Sequence, residues 1–413
     1  MFDNRERARH LPFFTELASL DDGDAAWRSV SAGLVVLRLV DAWIEEGAAA
    51  VGGDGWGMRS VEAAIEEMPA GQPARAVLAS MVNVLRTSST GDMHAIAPRL
   101  MAYARSLEFE SRWPLAVDVY ESIIAHVHPT DESDVAIAAH LRLGTCLQKT
   151  GELEGASASF DAASAISIDV DDMFGILRAQ IGRAKIALAR GNMPSAERML
   201  DEAIVAAAER PELVEVHAVA LQDRADVAFH RARYDLAVKL AYRSLELTHD
   251  PMNRDRLLSD IASAFYMLGV RSAARDAWLI LEATAQEQFS RWQASINLME
   301  VAAREGSMTL FERYRRSLST IAFPPPIAAQ FQLQTAESYE ALAQFDEATR
   351  AAERARAIAE RHGFNRTVFA AEAVVARVKQ GQPTAPIQQE QLVPESLQEI
   401  ATTISQLRKL VPR

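Results

Sequence analysis

Small side chains recur in pairs twelve residues apart along most of this chain. In residues 141–163, LRLGTCLQKTGELEGASASFDAA, Gly144 precedes Ala156 by twelve, Gly151 lies between them, and Phe160 follows four residues later. The later small position recurs as Ala116, Ala156, Ala196, Ala237, Ala274 and Ala348, with Phe311 standing in once, at spacings of 40, 40, 41, 37, 37 and 37. Its earlier partner is Ala104, Gly144, Ala184, Ala225, Ala262 and Ala336, with Met299 paired to Phe311. Five residues before each later position stand Ser111, Gly151, Gly191, Ala232, Gly269, Gly306 and Ala343.

Two antiparallel helices joined by a tight turn approach closely only where neither carries bulk at the crossing. The spacing therefore predicts helix pairs, with Gly144 and Ala156 at one crossing. A left-handed glycine at the turn stops the first helix, and Pro194 suits the first turn of the next. Tyr120, Phe160, Leu200 and Trp278, each four residues past a small position, are placed to fill the wedge towards the following pair. Gly and Pro number only 19 and 16, no alternating Val/Ile/Thr run suggests a sheet, and helical periodicity runs almost throughout, so the chain is all-α.

The pattern resembles the tetratricopeptide repeat, with small residues at repeat positions 8, 20 and 27, Gly at 15 and an aromatic or Leu at 24. Leu143, Gly144, Gly151, Ala156, Phe160 and Ala163 match best. The period exceeds the usual 34, as in long-repeat bacterial members. The resemblance implies a right-handed α-solenoid of about seven helix pairs. The expected divisions are an N-terminal segment (1–22), an N-terminal helical bundle (23–92), the array (93–380), a linker (381–394) and a C-terminal amphipathic helix (395–413). In the bundle, Trp27, Val30, Leu34, Leu37, Val40 and Ile44 form one stripe and Val36, Leu39 and Trp43 a second, so that helix is buried on two faces. The bundle also offers a surface for a homodimer. Met299 and Phe311 predict a kink or irregular packing at 299–315, and FPPPIAAQF sets off the seventh unit. Leu397, Ile400, Ile404, Leu407 and Leu410 give the terminal helix an apolar stripe, expected to fold back on the last repeat as a cap, to engage a partner or to occupy the protein's own groove.

The candidate motifs for chemistry read as structure. His126 and His128 with Asp131, Glu132 and Asp134 lack metal-ligand spacing on one face and read as a solvated loop. GGDGWG lacks the Lys and Ser/Thr of a phosphate-binding loop. Cys146, the single cysteine, reads as a packed thiol and excludes an intrachain disulfide or thiolate cage. The NRT at Asn365 has meaning only on secretion. No cofactor or metal, and no catalytic set, is expected. With 43 Lys plus Arg against 56 Asp plus Glu, a net charge of −13 repels nucleic acid. RERAR (5–9) and RYRR (313–316) lack interleaved aromatics. Neither a signal peptide nor a membrane span is expected, which fits a cytoplasmic location.

In tetratricopeptide arrays the first helices line the concave groove. Carried onto this chain, that implies Gln148 and Lys149, then Arg178 and Lys185, then Gln222, Asp226 and Phe229, then Arg256 and Tyr266 as partner-binding residues, beside Thr145, Ile181, Ser259 and Ser263. Lys149, Arg178 and Lys185 would favour an acidic peptide or carboxylate, while Phe229 and Tyr266 offer anchors. The family's carboxylate clamp is not reproduced, since Leu141 and Thr145 take two of its places. The expected function is a non-catalytic scaffold or adaptor holding a protein or peptide in the groove. The alternative is a peptide-sensing regulator in which binding alters the N-terminal bundle; a bundle followed by seven repeats is similar in layout to Rap-type response-regulator phosphatases.

Overall fold

The computed structural model describes residues 9–22, 24–46, 56–87, 93–381 and 391–411. The RERAR cluster up to residue 8, most of the glycine-rich loop and most of the expected linker lie outside them. All regular structure among the described residues is helical, arranged as a tetratricopeptide-like helical repeat. It divides into two compact units, residues 1–203 and 204–413.

Unit 1 opens with α1 (Leu11–Ser19), α2 (Ala25–Glu46), α3 (Trp56–Glu66) and α4 (Pro73–Thr87). Both stripes of α2 are used: Val30, Leu34, Val36, Leu37, Val40 and Trp43 are all buried. The repeats follow as α5 (Met93–Phe109) with α6 (Trp113–His126), α7 (Ser133–Thr150) with α8 (Leu153–Asp169), and α9 (Met173–Ala189) with α10 (Met193–Ala208). In unit 2 the pairs are α11 (Val214–His230) with α12 (Tyr234–Leu247), α13 (Pro251–Met267) with α14 (Arg271–Thr284), α15 (Gln288–Arg304) with α16 (Met308–Ser319), and α17 (Pro325–Ala341) with α18 (Phe345–His362). Then come α19 (Asn365–Lys379) and α20 (Gln398–Leu410).

Every small pair predicted from the spacing is buried, Gly144 with Ala156 and Ala104 with Ala116 among them. A Cβ on Gly144 would stand 2.9 Å from the ring of Phe160, and one on Gly182 of α9 would overlap the same ring. Phe160 thus wedges between successive first helices, and its removal would cost about 3–5 kcal/mol by the usual penalty for truncating a buried ring. All the predicted turn residues take positive φ: Gly151, Gly191, Gly269 and Gly306, but also Ser111 (59°), Ala232 (56°) and Ala343 (56°). In each turn the amide of the next residue donates to the carbonyl five residues back at 2.8–3.0 Å, as in Glu152 N to Leu147 O and Gln344 N to Tyr339 O. That bond closes the helix end. It offsets part of the roughly 1–2 kcal/mol that left-handed backbone costs a residue with a Cβ.

The segment 1–22 contains a docked helix, α1, whose Phe13 is fully buried. Two expectations are corrected. No kink interrupts residues 299–315: Gly306 makes the same turn, with Ser307 N to Ala302 O at 2.9 Å. The bulk of Met299 and Phe311 is absorbed instead by the core, where the Phe311 ring meets Tyr339 edge-on at 4.9 Å. Lastly, α20 folds onto α14 rather than onto the last repeat. Leu397, Ile400 and Ile404 join the core of Trp278, Ile280 and Leu281, and Gln391 N donates to Gly269 O at 3.0 Å. The physical reason is apolar matching: α18 turns Glu353, Arg354, Arg356 and Glu360 to solvent, a mostly charged face.

A buried charge cluster fixes α1 within unit 1. The His10 ring, 4% exposed, holds Asp118 of α6 through Nδ1 at 2.5 Å and Asp41 of α2 through Nε2 at 3.1 Å. Burial alone would lower its pKa, but the two carboxylate bonds outweigh it and raise it to about 9. The imidazolium therefore donates from both nitrogens at neutral pH.

No described helix is long and apolar enough to cross a membrane.

Candidate functional site

In unit 2 the first helices α11, α13, α15, α17 and α19 neighbour one another in series, and their polar side chains interlock. The order follows from the repeat. Asp226, Ser263, Glu300 and Glu337 lie 37 residues apart, each directly after the small or buried crossing residue, Ala225, Ala262, Met299 and Ala336. Because each crossing is pinned, the next residue is delivered to the same side of its helix each time.

The links along this lane are specific. Tyr266 of α13 donates its hydroxyl to Glu300 Oε1 at 2.7 Å, and Gln334 of α17 donates to the other carboxylate oxygen. The Arg304 guanidinium lies 3.6 Å from Glu300. Burial, then the charge of Glu300, raises the Tyr266 phenol well above its ordinary range. Burial, again followed by Glu300, pushes Glu337 up to about 7. At the end of the lane Arg377 of α19 grips the fully buried Glu340 carboxylate through two bonds of 2.9 and 2.8 Å.

A cavity of about 220 Å³ opens between α11, α12 and α13, lined by Ala225, Asp226, Phe229, His230, Ala237, Ala241, Asp260 and Ser263. Asp260 is solvent-exposed at the mouth of the concavity, among the side chains that line it. That surrounding, and next the charge of Asp226, push its pKa up to about 6, although Gln222 hydrogen-bonds it and Arg256 attracts its charge. Phe229 stands edge-on to Tyr234 at 5.2 Å, and His230 Nε2 lies 3.4 Å from Asp226.

The predicted groove residues fall in both units. Gln222, Asp226, Phe229, Arg256 and Tyr266 all border this cavity or the lane beside it through the contacts just given. In unit 1, Gln148 and Lys149 occupy the last turn of α7, the first half-buried and the second exposed, and Arg178 and Lys185 are half-buried on α9. Sequence reasoning missed Asp260, Glu300, Gln334, Glu337 and Glu340. Stepping by 37 from Asp226 marks Glu300 and Glu337, so the signal was present; nothing comparable marks Asp260.

The other side-chain candidates take structural places. The Cys146 thiol is fully buried, and burial pushes its pKa up to about 12. His126 Nδ1 bonds its own helix at Ser122 O. Among the described residues no three His, Cys, Asp or Glu side chains group as metal ligands.

No protein-family model matches this chain, and no curated protein matches its sequence. Several solved structures resemble it. NprR in complex with its cognate peptide NprX is 13% identical, with 82% of this chain and 89% of that one covered and a TM-score of 0.46. A Rap protein complexed with Competence and Sporulation Factor is 12% identical over 86% and 99%, at 0.43. PilF of Pseudomonas aeruginosa is 14% identical over 58% and 98%, at 0.40.

Proposed function

We propose that this protein is a non-catalytic scaffold that holds a protein or peptide segment along the first helices of its repeats. The observation that carries this reading is the asymmetry of unit 2. One of its second helices, α14, receives α20 as a covering element, while its first helices carry the polar lane and, with α12, line the cavity. A lane of hydrogen-bonding side chains flanked by Phe229 and Tyr266 suits an extended segment, whose backbone needs donors and acceptors and whose side chains need anchors. In unit 1 the same register carries Arg105 and Lys185. With Lys149 and Arg178, that face suits an acidic segment.

Photo-crosslinking in lysate of the source cell tests this. A photoreactive residue at Gln222, on the lane, should capture a discrete partner, whereas one at the exposed Arg243 of α12 should not. Equal capture from both positions would remove the lane from the binding surface.

A second reading, coupling between repeats and bundle, is favoured by one observation: His10 ties Asp41 of the bundle helix α2 to Asp118 of the first repeat. A partner that moved α6 would strain that tie. Hydrogen exchange in α1 should then change when partner binds, and unchanged protection would set this reading aside.

A further inference from the structure

The cavity beside Phe229 has a lining whose chemistry is narrower than that of the lane. Asp226 from α11 and Asp260 from α13 bring two carboxylates to one concavity, Phe229 adds an aromatic ring, and Ser263 a hydroxyl. Ala225, Ala237 and Ala241 supply apolar wall. The charges around Asp260 are mixed in sign, with the repulsion from Asp226 ahead of the attraction of Arg256. Asp223 adds to the repulsion on Asp260, and Arg256 offsets it only in part. His230, beside Asp226, is itself more than half exposed.

We propose that this cavity receives the side chain of an arginine from a peptide lying along the first helices, an inference that rests on the scaffold reading above. A guanidinium satisfies the lining in each respect. It presents several donors in a fixed plane, enough to meet two carboxylates and a hydroxyl at once. Its flat, weakly hydrated face stacks on an aromatic ring such as Phe229. Its methylene stem is apolar and fits against alanine. An inorganic cation matches less well: hard divalent ions demand six or more oxygen ligands, and three alanines and a phenyl ring supply none. Arrival of the cation would also relieve the repulsion between Asp226 and Asp260.

The test uses the full-length protein with its alanine methyl groups labelled for NMR, titrated with N-acetyl-arginine amide. Saturable shifts are expected at Ala225, Ala237 and Ala241. N-acetyl-citrulline amide, of the same shape without the charge, should bind about tenfold more weakly or worse. Asp226→Asn and Asp260→Asn should each weaken arginine binding by at least about tenfold; both carboxylates lie at an open surface, so the variants keep the fold, which the remaining methyl spectrum verifies. Equal binding of citrulline, unchanged binding by both variants, or absence of shifts up to the solubility limit would overturn the proposal. So would tighter binding of N-acetyl-lysine amide, or the same shifts from magnesium chloride alone. If these outcomes occurred while crosslinking from Gln222 persisted, the subsite would fall and the scaffold would stand.

Discussion

Unit 1 and unit 2 each gather ionisable side chains, and the two clusters are built in opposite ways. Around His10 the polar atoms are paired: one buried imidazolium donates to two carboxylates, Arg9 lies 3.7 Å from Asp41, and three helices are tied by that single ring. Along the unit 2 lane acids outnumber bases locally, and two carboxyls, Asp260 and Glu337, are pushed up towards neutrality by burial and by their neighbours. Saturation of buried charge is what a structural joint requires, because an uncompensated charge in a dry site is costly. Excess of one sign at a wet concavity is tolerable, and it leaves interaction free energy available to a ligand of the other sign.

The largest expected effect is at the joint. His10→Ala leaves Asp41 and Asp118 without their shared donor, and should destabilise the docking of α1 by about 3–5 kcal/mol, the usual cost of stranding a buried partner; hydrogen exchange across residues 11–19 would read it. Loss of protection no greater than that of a surface substitution would show that the cluster is not the tie described.

A pH titration separates the clusters by sign. His10 has a folded pKa raised from 6.5 to about 9. Its stabilisation is thus fully present below about 6.5 and is lost as pH rises through about 9. The protection difference between wild type and His10→Ala should therefore shrink between those values. Glu337 behaves oppositely. An acid whose folded pKa is raised from 4.5 to about 7 destabilises the fold increasingly as pH climbs across that window.

The smallest effect follows from this. Glu337→Gln should stabilise unit 2 at pH 8 by about 1 kcal/mol, since partial solvent contact screens the group, and should change little at pH 5. Urea melts of the two proteins at both pH values check it. A clear loss at pH 8 would mean that Glu337 is a paired structural carboxylate like Glu340, and would erase the contrast between the units at that position.

The repeat itself was legible because its constraint is steric and local. Gly144 and Ala156 had to be small to let two backbones approach, and each turn had to be left-handed to reverse the chain, so period and residue size reported the crossings directly. Met299 and Phe311 show where that reasoning stops: the turn at Gly306 preserved the backbone while the core around Tyr339 accepted the extra volume, a decision taken by residues distant in sequence. The terminal helix shows the same limit. Its stripe of Leu397, Ile400 and Ile404 announced burial, but the choice of α14 over α18 depended on which surface was apolar after the array had stacked.

The candidate site divides along the same line. Asp226, Phe229 and Tyr266 were reachable from repeat position, and Glu300 and Glu337 follow from the period. Asp260 was not, because its importance comes from facing Asp226 across the concavity between two helices rather than from any spacing within one. By itself, then, the sequence determined the helix pairs, their turns and the register that sends certain side chains to one side, since all three arise from contacts within some forty residues. Only the tertiary structure decided which charges meet, which are buried and saturated as at His10, and which remain open as at Asp260, because electrostatic environment depends on what neighbouring helices bring within a few ångströms.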